Sequence, residues 1–454
     1  MEFTPRGEEL FAASCREVQA GSLCSPHMSA TIIRNGRVID PANKRDEIAD
    51  VFIVEGRIAD QSAIGNRQSA IDEVDATGLI VAPGLVDMHV HLREPGFSHK
   101  ETIESGARAA AAGGFTTVVC MPNTSPVPDN PSTIAWIKDR AAAIACVNVL
   151  PTGAISKNLA GEELAPIGSL AQAGVVAITD DGHCVQNHEV MRRAVEYARM
   201  VGVPLLDHCQ DYNLVGNGVV HEGYWSTLLG LPGWPAAGEE AIVMRNVLLA
   251  ELCDHHIHCQ HVSTVGSVRL IREARARGIK ISGEICPHHI ALTDDAIQNF
   301  DTNYKVNPPL RSQNDVEGIL EGIADGTLSI LCSDHAPHAD FEKEVEFDRA
   351  PFGIVGLETE LGLFINLLVH QHRKIDIARL IAMYTLEPAR LLRIDAGTLS
   401  VGARADVTLI DPELDWTVKV DQFQSASRNS PFDGWELKGR AVRTMVGGKT
   451  VWKL

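Results

Sequence analysis

The chain has 454 residues, 45% hydrophobic and 22% charged, an ordinary globular composition long enough for a large barrel with a satellite or for several domains. A formal net charge of -19 argues against nucleic acid and anionic membranes as partners, since both require basic patches, although one local arginine can still hold a small anionic substrate. No run reaches the roughly 18 apolar residues of a membrane helix, and the ten cysteines stand singly, several within apolar strands (Cys120, Cys259, Cys332), the pattern expected of reduced thiols in a cytoplasmic protein.

In chain order, residues 1–27 show no helix or strand period and are expected to be a leader or disordered tail, with Met28 resembling a natural beginning. Short strands follow at 31–40, 49–58 and 78–81, with Asn35-Gly36 and Glu55-Gly56 as hairpin-turn signals. A similar cluster returns at 405–410, 442–446 and 450–452, with Gly447-Gly448 between the last two. Segments 28–82 and 394–454 are therefore expected to combine into one small β-sandwich domain built from both chain ends.

Between them, from 83 to 393, β-rich runs alternate with Ala-rich helical stretches such as Thr102 to Ala112 and Glu189 to Met200. Eight strands are predicted, at 84–91, 115–121, 146–153, 174–180, 203–209, 256–262, 279–286 and 328–334. Eight strand-helix repeats point to an α/β fold of the (β/α)8 type, in which chemistry sits at the C-terminal ends of the strands. An open doubly wound sheet is the alternative, but no Gly-x-Gly-x-x-Gly turn follows a strand.

Polar residues fall at those strand ends. The first strand runs into Gly84-Leu-Val-Asp-Met-His89-Val-His91-Leu-Arg93-Glu-Pro95, and strand alternation places His89, His91 and Arg93 on one face. Two imidazoles there can hold a divalent metal and the arginine can clamp a carboxylate, although a half-buried strand with hydrogen-bonded histidines would read the same way. The fourth strand ends at Asp181, the fifth at His208, the sixth at His261 and the eighth at Asp334. Any one of these could be a cap. Six at one end of one barrel are hard to assign to packing, and a His/Asp set without thiolate suits a hydrolytic zinc or manganese centre.

These residues resemble the amidohydrolase superfamily and, within it, dihydroorotases of the type I class. The matching motifs are Pro83 to Pro95, Cys120-Met-Pro-Asn-Thr124, Thr179-Asp-Asp-Gly182, Asp207-His-Cys209, His261-Val-Ser-Thr264, Cys286-Pro-His-His289, Val306-Asn-Pro-Pro-Leu-Arg311, Ser333-Asp-His-Ala-Pro-His338 and Gly402-Ala-Arg-Ala-Asp406. The resemblance implies that His89 and His91 hold a more buried metal, that His208 and His261 hold a more exposed one, and that Asp181 bridges them. Asp334 would bind metal and act as general acid and base. Arg93, Asn123 and His338, with His91 nearby, would bind the substrate carboxylate, while Asn307 and the Phe352-Gly353 turn would hold the ring. Two Zn2+ per subunit are implied, other divalent metals being possible. The implied reaction is the reversible cyclisation of N-carbamoyl-L-aspartate to L-dihydroorotate. A homo-oligomer is implied, with aspartate carbamoyltransferase a possible partner.

His183, His188, His255, His256, His258 and His289 are left outside the site, His255 and His256 being expected to face solvent near a strand start. Asp180 is left out for its opposite parity to Asp181. Dihydropyrimidinases, hydantoinases and allantoinases are the rival enzymes, but they usually bridge their metals with a carboxylated lysine on the fourth strand, and residues 174–181 contain none. An inactive scaffold for aspartate carbamoyltransferase is the rival of another kind, and would be expected to have lost metal ligands that this chain keeps.

Overall fold

The computed structural model describes residues 30–65 and 71–454, so the expected leader at 1–27 lies outside the described residues. The two chain ends are knitted into one continuous eight-stranded sheet. Its order runs Lys449–Lys453, Glu436–Val446, Val407–Thr417, Ile80–Pro83, Ala30–Asp40, Arg45–Val54 and Arg57–Ala59, with Ile71–Asp75 also paired to Ala30–Asp40. Ile80–Pro83 is the seam: it pairs parallel to the N-terminal strand through Arg37 and Val38, and antiparallel to the C-terminal strand through Val407 to Ile410. Its apolar face joins Ile33, Val38, Val51, Val81, Val407, Leu409 and Met445 in a core separate from that of the barrel.

One turn signal means something else here. Glu55-Gly56 does connect two antiparallel strands, with both residues at positive φ. Asn35-Gly36 instead lies inside a single strand, as a bulge where the register against the neighbouring strand shifts between Ile33 and Gly36. Gly36 is needed there because a Cβ would come within 2.4 Å of Val81.

From Pro83 the chain passes through Gly84 into the first barrel strand, Leu85–Val90. Parallel pairing continues to Phe115–Cys120 and Asn148–Pro151; a second set pairs Leu205–Asp207, Ile257–Cys259, Ile281–Ile285 and Ile330–Leu331 in sequence. The predicted fourth strand, 174–180, is reduced to bridges from Ile178 to Gly153 and Leu205, which join the two sets. Its ladder is cut short because the Asp180 carboxylate takes the Ile155 and Ser156 amides at 2.7 and 3.0 Å. A bridge from Val90 to His335 closes the circle.

The outer helices follow amphipathic logic. Helix Ile103–Gly113 starts at a capping box between Thr102 and Ser105 and stops at Gly114, whose φ is +98°. Helix His188–Val201 is capped by Asn187 and buries Met191, Ala194, Val195 and Ala198, one stripe at helical spacing. Among the described residues no helix is long and apolar enough to cross a membrane.

Gly84 is the hinge from sheet to barrel. Its amide donates to the Asp406 carbonyl at 2.8 Å, and a Cβ there would lie 2.0 Å from Thr116 Oγ1 and 2.6 Å from its Cγ2. Gly84→Ala is therefore expected to destabilise the fold by about 1–3 kcal/mol through overpacking, read as a lower denaturant midpoint with unchanged slope.

Candidate metal centre and active site

The C-terminal ends of the barrel strands converge on a cavity of about 320 Å³ lined by His91, Arg93, Asn123, Asp181, His208, His261, Asn307, Asp334, His338, Phe352 and Gly353, among others. Of the predicted site residues only His89 is missing from that lining, because it is fully buried beneath it.

Asp181 lies at the centre of the cluster, and its two oxygens face different ways. Oδ2 is 3.3 Å from His89 Nε2 and 3.4 Å from His91 Nε2. Oδ1 is 3.3 Å from His208 Nδ1 and 3.5 Å from His261 Nε2. Asp334 Oδ1 stands 3.0 Å from His91 Nε2 and 3.5 Å from His89 Nε2. The two histidine pairs hardly differ in exposure: His89 and His91 are 0% and 5% exposed, His208 and His261 3% and 2%.

The outer nitrogens of three of these rings are anchored, which sets their tautomers. His89 Nδ1–H donates to Glu284 Oε1 at 2.6 Å, His91 Nδ1–H to Asn123 Oδ1 at 2.8 Å, and His208 Nε2–H to Gln210 Oε1 at 2.9 Å. Each inward nitrogen is thereby left with its lone pair facing the cluster, the arrangement by which metal-ligating histidines are oriented. Among the described residues, His89 Nε2 and Asp181 Oδ1 are buried without a hydrogen-bond partner. An all-N/O donor set with orphaned inward atoms fits a divalent cation.

The cluster also concentrates charge. Burial alone would push the His89 imidazole down, but Asp181, Glu284 and Asp334 together hold it well above its ordinary value, so a cation entering the cluster would displace the proton from its inward nitrogen. Burial would raise Asp181 and Asp334, yet the surrounding imidazoles hold both carboxyls well below the usual range. Such concentrated opposite charge with so little solvent marks a functional site.

Arg93, His261 and Asp334 all have positive φ, at 59°, 32° and 47°. Non-glycine residues held there are strained, and such strain gathers at sites where the surroundings dictate side-chain direction. For Arg93 this corrects the strand-face expectation: the strand ends at Val90, and Arg93 reaches the cavity because its backbone turns. Its Nε donates to the Pro337 carbonyl at 3.2 Å, and burial lowers the guanidinium to about 10, so it is still cationic at neutral pH.

On the opposite wall, Asn307 Nδ2 donates to Gln210 Oε1 at 3.2 Å, leaving Oδ1 unpartnered. Phe352 is packed under the Lys305 ammonium, 4.6 Å from the ring centre. His338 is in the cavity wall, but its Nε2–H is committed to the Phe352 carbonyl at 2.8 Å. Burial and the nearby Arg93 push its imidazole down to about 2, so the ring is neutral and its buried Nδ1 offers a lone pair.

Asp180 points away from the cluster to the 155–156 backbone, as its parity implied. His255 and His256 lie outside the cavity, but they are not simply solvent-facing. His255 is buried and donates to the Val203 carbonyl at 2.9 Å, and His256 pairs with Ser282 Oγ at 2.7 Å, because strand-start side chains here satisfy neighbouring backbone and hydroxyl groups.

Sequence reasoning missed Glu284, Gln210 and Gln260. Gln260 accepts the Thr179 hydroxyl at Oε1 at 2.9 Å, and its Nε2 lies 3.3 Å from His89 Nδ1. A signal existed for Glu284: it is the one acid within the apolar strand Ile281–Ile285, a place where a carboxylate requires a partner.

The family model described as Dihydro-orotase-like matches residues 78–267, and that of the Amidohydrolase family matches 241–452. A relative from Pelotomaculum thermopropionicum named Dihydroorotase is 52% identical over 420 residues, spanning 92% of this chain and 98% of its own. Another of that name, from Syntrophotalea carbinolica, is 51% identical over 423 residues, spanning 93% and 99%. Among solved structures, an L-hydantoinase (dihydropyrimidinase) from Arthrobacter aurescens superposes with a TM-score of 0.83 at 26% identity, covering 94% of this chain and 96% of that one. A dihydropyrimidinase from Brevibacillus agri, at 24% identity and a TM-score of 0.81 over 93% and 95%, shares the fold.

Proposed function

The chain belongs to the dihydroorotase family of amidohydrolases, metal-dependent hydrolases acting on cyclic amides, and from that premise we propose how its own residues perform the reaction. The substrate pair is L-dihydroorotate and N-carbamoyl-L-aspartate, placing the enzyme in pyrimidine biosynthesis. The observation that carries the site assignment is the split carboxylate of Asp181, one oxygen toward His89 and His91 and the other toward His208 and His261. In this reading His89 and His91, with Asp334, would hold one zinc ion and His208 and His261 a second, Asp181 serving both pairs. When bound, such a pair of cations acidifies a shared water and polarises a carbonyl oxygen.

Arg93 pairs with the substrate carboxylate. Asn123 accepts from His91 through Oδ1, so its Nδ2 is free to donate to the same carboxylate. His338 joins them only by releasing the Phe352 carbonyl; otherwise it fixes the turn against which the ring lies. The unpartnered Oδ1 of Asn307 suits a ring N–H. Asp334 takes the proton of the attacking water and passes it to the ring nitrogen as the C–N bond breaks. In reverse, it takes a proton from the carbamoyl nitrogen as the ring closes and passes it to the departing carboxylate oxygen, which takes a second proton from solvent to leave as water. We further propose that the enzyme works in the cytoplasm as a homo-oligomer, with aspartate carbamoyltransferase as a candidate partner.

The test is metal content of the purified protein alongside turnover of dihydroorotate, hydantoin and allantoin. Dihydroorotate should be the preferred substrate, and faster turnover of either of the others would favour a different cyclic amidase. Among the described residues no lysine lines the cavity, which counts against a carbamate-bridged centre.

Two variants probe individual contacts. Arg93→Met removes a charge-assisted hydrogen bond worth about 1.5–3 kcal/mol, so dihydroorotate binding should weaken about 10- to 150-fold with metal content unchanged. Normal binding by that variant would misassign the clamp. Glu284→Gln leaves the shape but removes the charge opposite His89 Nδ1, and metal affinity measured by chelator competition should fall about 10- to 100-fold. Unchanged affinity would reduce Glu284 to a packing role.

A further inference from the structure

We propose that Cys286, His288 and His289 form a further metal site, distinct from the Asp181 cluster, that takes a borderline-soft divalent ion such as zinc or cobalt(II). The three follow the seventh barrel strand, Ile281–Ile285, where Cys286-Pro-His-His289 turns into the short helical segment His288–Ala291. One donor atom from each lies within 4.8 Å of the others, and all three residues are buried.

The ring nitrogens are what call for a ligand. His289 Nε2–H donates to the Pro308 carbonyl at 2.9 Å, which leaves Nδ1 with a lone pair and no partner. Neither nitrogen of His288 has a partner among the described residues. Three unpaired ring nitrogens from consecutive residues stand out in a folded interior, where nearly every polar atom is hydrogen-bonded. Burial pushes both imidazoles down, His288 to about 4, so they are in the neutral form that ligates.

The donor chemistry selects the ion. One thiolate and two imidazoles favour zinc or cobalt(II) over magnesium or manganese. Zinc–nitrogen and zinc–sulfur bonds of about 2.0–2.3 Å place neighbouring donors about 3.3–3.7 Å apart, so a modest closing of the 4.8 Å limit suffices. Binding takes the proton from the Cys286 thiol and releases it to solvent, one per ion. Burial holds that thiol at about 12, so uptake should strengthen as pH rises.

Sulfur makes the test selective, since the Asp181 cluster contains none. Cys332 supplies a control. Its Sγ is 3.5 Å from that of Cys286, it is equally buried, and it groups instead with His89 and Glu284. Metal-depleted full-length protein is titrated with cobalt(II) while near-ultraviolet sulfur-to-cobalt charge-transfer absorption and bound metal are followed. We expect the band to appear with one equivalent beyond those of the Asp181 cluster. Band and equivalent should both be lost in Cys286→Ser and kept in Cys332→Ser. His288→Gln, which leaves both thiols in place, should weaken that equivalent at least tenfold and keeps the question open to measurement if the serine variant does not fold. No band in the wild type, a band that survives Cys286→Ser, one that vanishes with Cys332→Ser instead, or unchanged affinity in His288→Gln would each overturn the site.

Discussion

Asp334→Asn is expected to lower turnover by at least about 10²–10⁴, the contribution of general acid–base catalysis, in both directions of the reaction. Asparagine matches aspartate in shape and tolerates the left-handed backbone found at this position, where φ is +47°, so the fold should be retained. What it lacks is a site for the proton. The carboxylate stands 3.0 Å from His91 Nε2 and 3.5 Å from His89 Nε2, close enough for its charge also to help retain a cation. Metal must therefore be counted in the same samples as turnover. A metal-replete variant keeping more than a tenth of wild-type turnover would remove Asp334 from the shuttle.

Asp181→Ala should lose bound metal and activity together. Its Oδ1 is the only carboxylate contact of the His208 and His261 rings among the described residues, and without the anion two cations so close would repel one another more strongly. Asp180→Ala should keep metal. The structure makes its cost larger than a parity argument suggests, because the Asp180 carboxylate accepts from the Ile155 and Ser156 amides and from the Ser156 hydroxyl. Stranding those buried donors costs about 1–3 kcal/mol each, so this variant should be clearly destabilised yet metal-competent. A side-chain carboxylate also needs no carbon dioxide to form. Metal-depleted wild type should recover on adding zinc in carbon dioxide-free buffer. A bicarbonate requirement, or metal loss from the Asp180 variant but not the Asp181 variant, would overturn the bridging assignment.

Much of this was legible in one dimension, for a definite reason. Strand alternation and apolar runs are local properties, so the repeating strand-helix pattern, the helical stretches 102–112 and 189–200, and the polar residues at strand ends could all be read from the chain. The separation of Asp180 from Asp181 by parity was of the same kind. Local reasoning went astray where a distant segment changed the outcome. Asn35-Gly36 has the composition of a turn, but it becomes a bulge because Val81 packs against Gly36 and the strand continues on both sides. The fourth strand fades because a side chain takes the amides that a ladder would use. Arg93 reaches the cavity through a left-handed backbone outside any strand, a conformation imposed by its surroundings. Glu284 and Asn123 show the limit most clearly. They lie 195 and 32 positions from the histidines they anchor. By itself, then, the sequence determined the barrel and the residue types at its mouth, because both follow from spacing along the chain. Only the tertiary structure decided which nitrogen of each histidine faces inward, because a tautomer is set by the partner on the far side of the ring, and that partner arrives by folding.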